Sequence, residues 1–137
     1  MLPGILSVFL VLSTLGLIGW SQWQPSSPIV TEEAVQWQRH LVFADGPKGE
    51  ILVKDHVTGQ TIAAFEGEQG FVRGTLRALA RERKRREVGS EHPFELTART
   101  NGRLVLRDPS TAQRIDLDSF GPGNAALFRN LRQAGQS

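Results

Sequence analysis

Three residue types that bind polar groups recur together in this sequence. Asp55, Thr58 and Gln60 stand in DHVTGQ, and Asp108, Thr111 and Gln113 stand in DPSTAQ, 53 residues further on. Such a set could offer a carboxylate, a hydroxyl and an amide to a ligand. The same residues also close turns. An Asp accepts backbone N–H bonds from the residues after it, Thr does so less strongly, and glycine takes the left-handed conformation at no steric cost. The turn reading is adopted for Asp55, Gly59 and Asp108, and for Gly102 in the Asn-Gly turn ahead of the second copy. No ligand is assigned to either element.

Other chemistry-bearing residues do not assemble into a site. His40, His56 and His92 are scattered, without the His-x-x-x-His or His–Glu spacing of a metal centre, and the chain has no cysteine. Ser110 and Ser119 lack the pattern of a nucleophile elbow. Asp116 and Asp118 are expected to share a strand face, but acid–base work needs a pocket and a shifted pKa as well. Gly67, Gly70 and Gly74 are not followed by Lys-Ser/Thr, so they form no phosphate loop. No catalytic residue, metal or cofactor is assigned.

The most informative polar feature is a basic run. Arg73, Arg77, Arg81 and Lys84 recur every three or four residues, which on a helix places them in one stripe beside the apolar stripe of Val72, Leu76, Leu79 and Ala80. Arg83 and Arg86 rotate back toward the apolar side. Core packing is therefore expected to stop near Ala80, with the RERKRRE tail projecting. Arg73, Arg77, Arg81, Lys84 and Arg85 are the candidate contacts for an acidic protein surface or anionic lipid headgroups. The competing reading is a solvated helix end whose cations complement the dipole. A net charge of +2 and an aromatic content of 7% argue against nucleic acid.

These residues need elements to position them. Leu2 to Trp20 carries no charge, and its nineteen residues span about 28 Å as a helix, the thickness of a bilayer core. Trp20 and Trp23 follow at the end expected to meet the membrane interface. No Lys or Arg precedes this run and LIGWSQWQ offers no small-residue cleavage site, so residues 1–23 are read as an uncleaved anchor rather than a signal peptide. Residues 24–38, with Pro25 and Pro28, read as a membrane-proximal linker that ends in a helical turn over Glu32–Gln38 with Thr31 as cap. Charge gives no orientation, because the first basic residue is Arg39.

Residues 39–137 read as a small α+β domain of two similar β-β-β-α repeats, 39–87 and 93–135. Alternating stretches predict strands at Arg39–Ala44, Glu50–Lys54 and Thr61–Phe65, and again at Phe94–Arg99, Arg103–Arg107 and Arg114–Leu117. TNG is a hairpin signal. The two amphipathic segments that follow, FVRGTLRALARERKRRE and GNAALFRNLRQAG, predict helices, the second ended by Gly135.

The stretches GEQGFVRGTLRALARER and FELTARTNGRLVLRDPSTAQRIDLDSFGPGNAALF resemble the PuhC family, the photosynthetic complex assembly proteins of purple bacteria. The most specific pieces are Gly70-Phe71-Val72-Arg73-Gly74 with Leu76-Arg77, and Asp116-Leu117-Asp118-Ser119-Phe120-Gly121 with Asn124. The resemblance runs from about Arg39 to Leu131. It implies a single-pass protein of the inner (intracytoplasmic) membrane with its C-terminal domain in the periplasm. Its implied partners are reaction centre and light-harvesting 1 subunits together with membrane lipid. The implied role is a non-enzymatic factor that assists assembly or accumulation of that complex; a resident structural subunit is the alternative, an enzyme acting on pigment or lipid ranks after both, and no residue supports a pigment contact. The resemblance also implies a longer, more basic tail ahead of the anchor than this sequence carries, and it brings no catalytic or ligand residues.

Overall fold

The computed structural model describes residues 33–67 and 69–136. The expected anchor, with Trp20 and Trp23, and most of the expected linker lie outside the described residues. Among the described residues no helix is long and apolar enough to cross a membrane.

Six strands form one antiparallel sheet: β1 (Val35–Asp45), β2 (Ile51–Asp55), β3 (Thr61–Phe65), β4 (Phe94–Arg99), β5 (Leu104–Asp108) and β6 (Gln113–Asp116). Their order across the sheet is β3-β2-β1-β4-β5-β6, so two three-stranded meanders join through their first strands. Helix α1 (Gly70–Arg85) follows the first meander. After the second come a 3-10 turn (Leu117–Phe120), helix α2 (Pro122–Arg129) and a further 3-10 turn (Asn130–Arg132). The domain is thus α+β, with an antiparallel sheet and two helices.

The duplication seen in the sequence is reproduced in strand register. Phe43 lies opposite Val53 and Ala44 opposite Leu52; 53 residues on, Leu96 lies opposite Leu106 and Thr97 opposite Val105. Lys54 opposite Thr61 is likewise matched by Arg107 opposite Arg114. Where the meanders meet, Leu41 lies opposite Phe94, its own counterpart at the same offset. An approximate two-fold axis therefore passes through this pair. Gly49 and Gly102 open the second strand of each meander with φ of 81° and 86°, a conformation that a Cβ would strain.

Alternation places Leu41, Val53, Leu96, Leu104 and Leu106 in the core on one face of the sheet. Phe128 from α2 sits at the centre. Its ring meets those of Phe43, Phe65 and Phe71 at centroid distances of 6.5, 5.9 and 6.3 Å, in edge-on geometry. Val72, Thr75 and Leu79 are the buried residues of α1 nearest its start, and Val72 and Leu79 join the same core cluster.

Three expectations need correction. Residues 35–38 are strand, not the end of a linker with a helical turn. They pair with the end of β4 across a bulge between Val35 and Trp37, and Val35-Gln36-Trp37-Gln38 alternates apolar and polar residues as a strand does. The last helix ends at Arg129 and tightens into a 3-10 turn before Gly135. The carbonyls of Leu131 and Ala134, beyond its end, accept from the Arg39 side chain. The third concerns Arg83, which does not project from the end of the core.

Candidate functional site

Each repeated aspartate first organises its own turn. Asp55 accepts from the backbone N–H of Val57 (2.9 Å) and Thr58 (3.0 Å), and the Thr58 hydroxyl accepts from Gln60 N–H (3.3 Å). Asp108 accepts from Ser110 N–H (3.0 Å) and the Ser110 hydroxyl (2.6 Å), while the Thr111 hydroxyl accepts from Gln113 N–H (3.4 Å). Gly59 has φ of 70°, and Ala112, which takes its place in the second copy, has φ of 62°.

Each aspartate also holds an arginine, a role that the turn chemistry does not announce. Arg39 Nε lies 3.1 Å from Asp55, and its guanidinium also donates to the Ala134 carbonyl at 2.7 Å. Arg83 is fully committed. Its Nε and Nη2 meet the two oxygens of Asp108 at 2.6 and 3.0 Å, Nη1 donates to the His92 carbonyl at 2.9 Å, and the guanidinium lies 3.9 Å over the Phe94 ring. Asp108 is fully buried and Arg83 is 4% exposed. Helical spacing alone cannot reveal this, because the partner lies 25 residues away on the other repeat. The end of α1 is thereby docked on the second meander, and the end of α2 is docked through Arg39 on the first.

The carboxylates are engaged structurally. The Asp55 carboxyl is held below its ordinary value of 3.8, first by the Thr58 N–H, against the opposing push of burial, and then by Arg39. Burial pushes Asp108 up, but Arg83 and Ser110 outweigh it and hold the carboxyl down. Asp118 is likewise raised by burial and lowered further by the Leu104 N–H and Arg129. Asp116 pairs with Arg103 at 2.8 Å and caps the 3-10 turn through Asp118 N–H. Asp116 and Asp118 therefore do not form an acid–base pair. Among the described residues no group of three or more His, Asp and Glu side chains is placed to hold a metal ion.

What the fold does assemble is a cleft of about 680 Å³ between α1 and the end of β1. Its apolar lining comes from Phe43, Ile51, Leu76, Ala80, Val88 and Phe94. Arg73, Arg77 and Lys84 line the helix side, and the buried Arg83 closes the inner wall. Of the five candidate contacts, the cleft brings together these three. Arg81 is exposed and does not line it. Arg85 does not line it either, and is paired with Glu82, which also accepts from Arg86 at 2.7 Å. Arg73 donates to the Gly49 carbonyl in the β1–β2 turn. Arg77, Arg81 and Lys84 have no hydrogen bond or ion pair to a described residue.

Residues 36–134 match the family model described as photosynthetic complex reorganisation protein PuhC. The chain belongs to the PuhC family. The matched span takes in every described strand and helix apart from the first residue of β1. The chain is also similar to an uncharacterized 17.4 kDa protein in the puhA 5′ region of Rhodobacter capsulatus, at 29% identity over 93 residues. That similarity covers 68% of this chain and spans 50% of the relative's length. No solved structure matches it. In this PuhC domain Asp55, Asp108, Asp116 and Asp118 are committed to turns and ion pairs, while Arg77 and Lys84 stand unpaired beside a cleft whose lining also includes Asp45.

Proposed function

We propose that this PuhC protein is a membrane-anchored, non-enzymatic factor for assembly or reorganisation of the photosynthetic reaction centre–light-harvesting 1 complex. In this reading residues 1–23 hold the domain at the inner membrane and the domain lies on the periplasmic side. Tethering raises the effective concentration of the domain beside nascent complexes, so an individually modest contact suffices. The family match over residues 36–134 carries the reading. The cleft beside α1 supports it, as a surface where Arg77 and Lys84 are left unpaired while the repeated aspartates are committed to turns and ion pairs.

The test is made in a photosynthetic host whose own copy is deleted and replaced by the variant Arg77→Glu/Lys84→Glu. The core light-harvesting absorption band is expected to fall while total pigment synthesis continues. Unchanged core complex in both the deletion and the variant would overturn the reading. Recovery from mildly solubilised membranes separates a transient factor from a resident subunit, since a subunit co-purifies stoichiometrically.

A further inference from the structure

The cations beside the cleft are distributed along it. Arg77 and Lys84 are seven residues apart on α1, two helical turns, so their Cα atoms are separated by about 10.5 Å. Neither charge is neutralised by a described residue. Ala80 lies between them in sequence and also lines the cleft, whose sheet side carries Phe43, Ile51 and, at the end of β1, the exposed Asp45, so the cations stand on the helix side and the one carboxylate on the other. Arg83, the one buried arginine in the lining, has its charge met by Asp108 and acts as rigid wall.

From this we infer that the cleft binds an acidic amphipathic segment of a partner protein. Its apolar side chains seat between α1 and β1, and successive carboxylates pair with Arg77 and Lys84. The inference deepens the reading of this face as the contact surface and rests on it. Charge distribution selects the occupant. A single-headed anionic amphiphile concentrates its charge at one end and needs one cationic cluster there. Two unpaired cations about 10 Å apart along the helix side of the cleft suit a helical segment bearing carboxylates about seven residues apart on one face. The volume of about 680 Å³ falls within the range of clefts that enclose a ligand-sized set of groups. Apolar burial supplies affinity in such a groove, while the charges set register and the rate of encounter.

The probe is a labelled helical peptide carrying Glu every seven residues beside a leucine stripe, with a scrambled peptide of the same composition as control. The full chain in a zwitterionic detergent is titrated and fluorescence anisotropy is read. The designed peptide is expected to bind about tenfold more tightly than the scrambled one. Arg77→Glu/Lys84→Glu should weaken it by about tenfold or more, Ala80→Trp should block it, and Arg81→Glu should leave it within about twofold. All four substituted positions are exposed, so each variant is expected to retain the fold, as circular dichroism will check. Equal binding of both peptides, or equal loss in the Arg81 and Arg77/Lys84 variants, overturns the inference. So does uptake of laurate or phosphatidylglycerol vesicles that Ala80→Trp abolishes while the peptide fails to bind; the site is then a lipid site. If the double variant lowers the core complex in cells yet no peptide binds, the partner chemistry is wrong and the assembly role stands. If the peptide binds as expected and the core complex is unaffected, the cleft is a peptide site and the assembly role fails.

Discussion

Replacing Asp108 by Ala should cost far more stability than replacing Asp55, although the two occupy the same place in the two repeats. Both substitutions remove the acceptor that closes a turn, so that contribution nearly cancels between them. The difference reports the arginines. Without Asp108, Arg83 keeps only the His92 carbonyl and the Phe94 ring for a guanidinium that is 4% exposed. Stranding a buried charge in this way costs about 3–5 kcal/mol. Without Asp55, Arg39 still donates to the Leu131 and Ala134 carbonyls and retains 12% side-chain exposure, so the loss is about 1.5–3 kcal/mol, that of charge-assisted hydrogen bonds. Urea unfolding of the full chain, with Trp20 and Trp23 changed to Phe so that Trp37 is the only reporter, measures both. The paired replacement Arg83→Met/Asp108→Leu should recover much of the Asp108→Ala loss, because it removes the stranded charge along with its partner. Equal losses for the two aspartates, or less than about 1 kcal/mol for Asp108→Ala, would refute the argument.

Three further outcomes follow from geometry already described. Asp55, Asp108 and Asp118 have folded pKa values below their ordinary 3.8, so near that pH the unfolded state binds more protons and stability rises with pH. Their contribution is present above the ordinary value and is lost as pH falls through the lowered ones; Asp108→Asn should flatten the acid limb of a stability–pH curve. Ala112 holds φ of 62° where the first copy has Gly59 at 70°, so Ala112→Gly should raise stability by roughly 1 kcal/mol and Gly59→Ala should lower it similarly, both read as shifts of the urea midpoint. Phe128→Ala empties the centre of the aromatic cluster and should cost about 3–5 kcal/mol by the same assay.

Most strands were legible in the sequence because their determinants are local. Period-two alternation and turn glycines mark β3 and β4 at their full extents, and β2 and β5 to within a residue. The repeated Asp turn exposed the duplication because its polar residues recur in register. The rest depended on partners distant in the chain. VQWQ alternates as a strand does but is too short by itself to outweigh the Pro-containing segment before it, and only β4 beside it fixes the pairing; α2 stops short where Arg39 takes the carbonyls that follow it. Arg83 looked like part of a projecting tail because its acceptor belongs to the other repeat. The cleft was half legible: the basic stripe is a helix property, while Phe43 and Ile51 come from strands that sequence alone does not set beside it.

The axis through Leu41 and Phe94 gives the domain an ancestry and a direction. A lone β-β-β-α unit would pair with a copy of itself across the same strand edge, since that contact is self-complementary. Such a dimer must present every surface twice. Joined in one chain, the copies are free to diverge, and they have: α1 keeps 16 residues and α2 only eight. Phe128 and Leu131 fill the core at places where the first copy has Thr75 and the exposed Ala78. The two halves therefore present different surfaces, and the cleft is lined from α1 and not from α2.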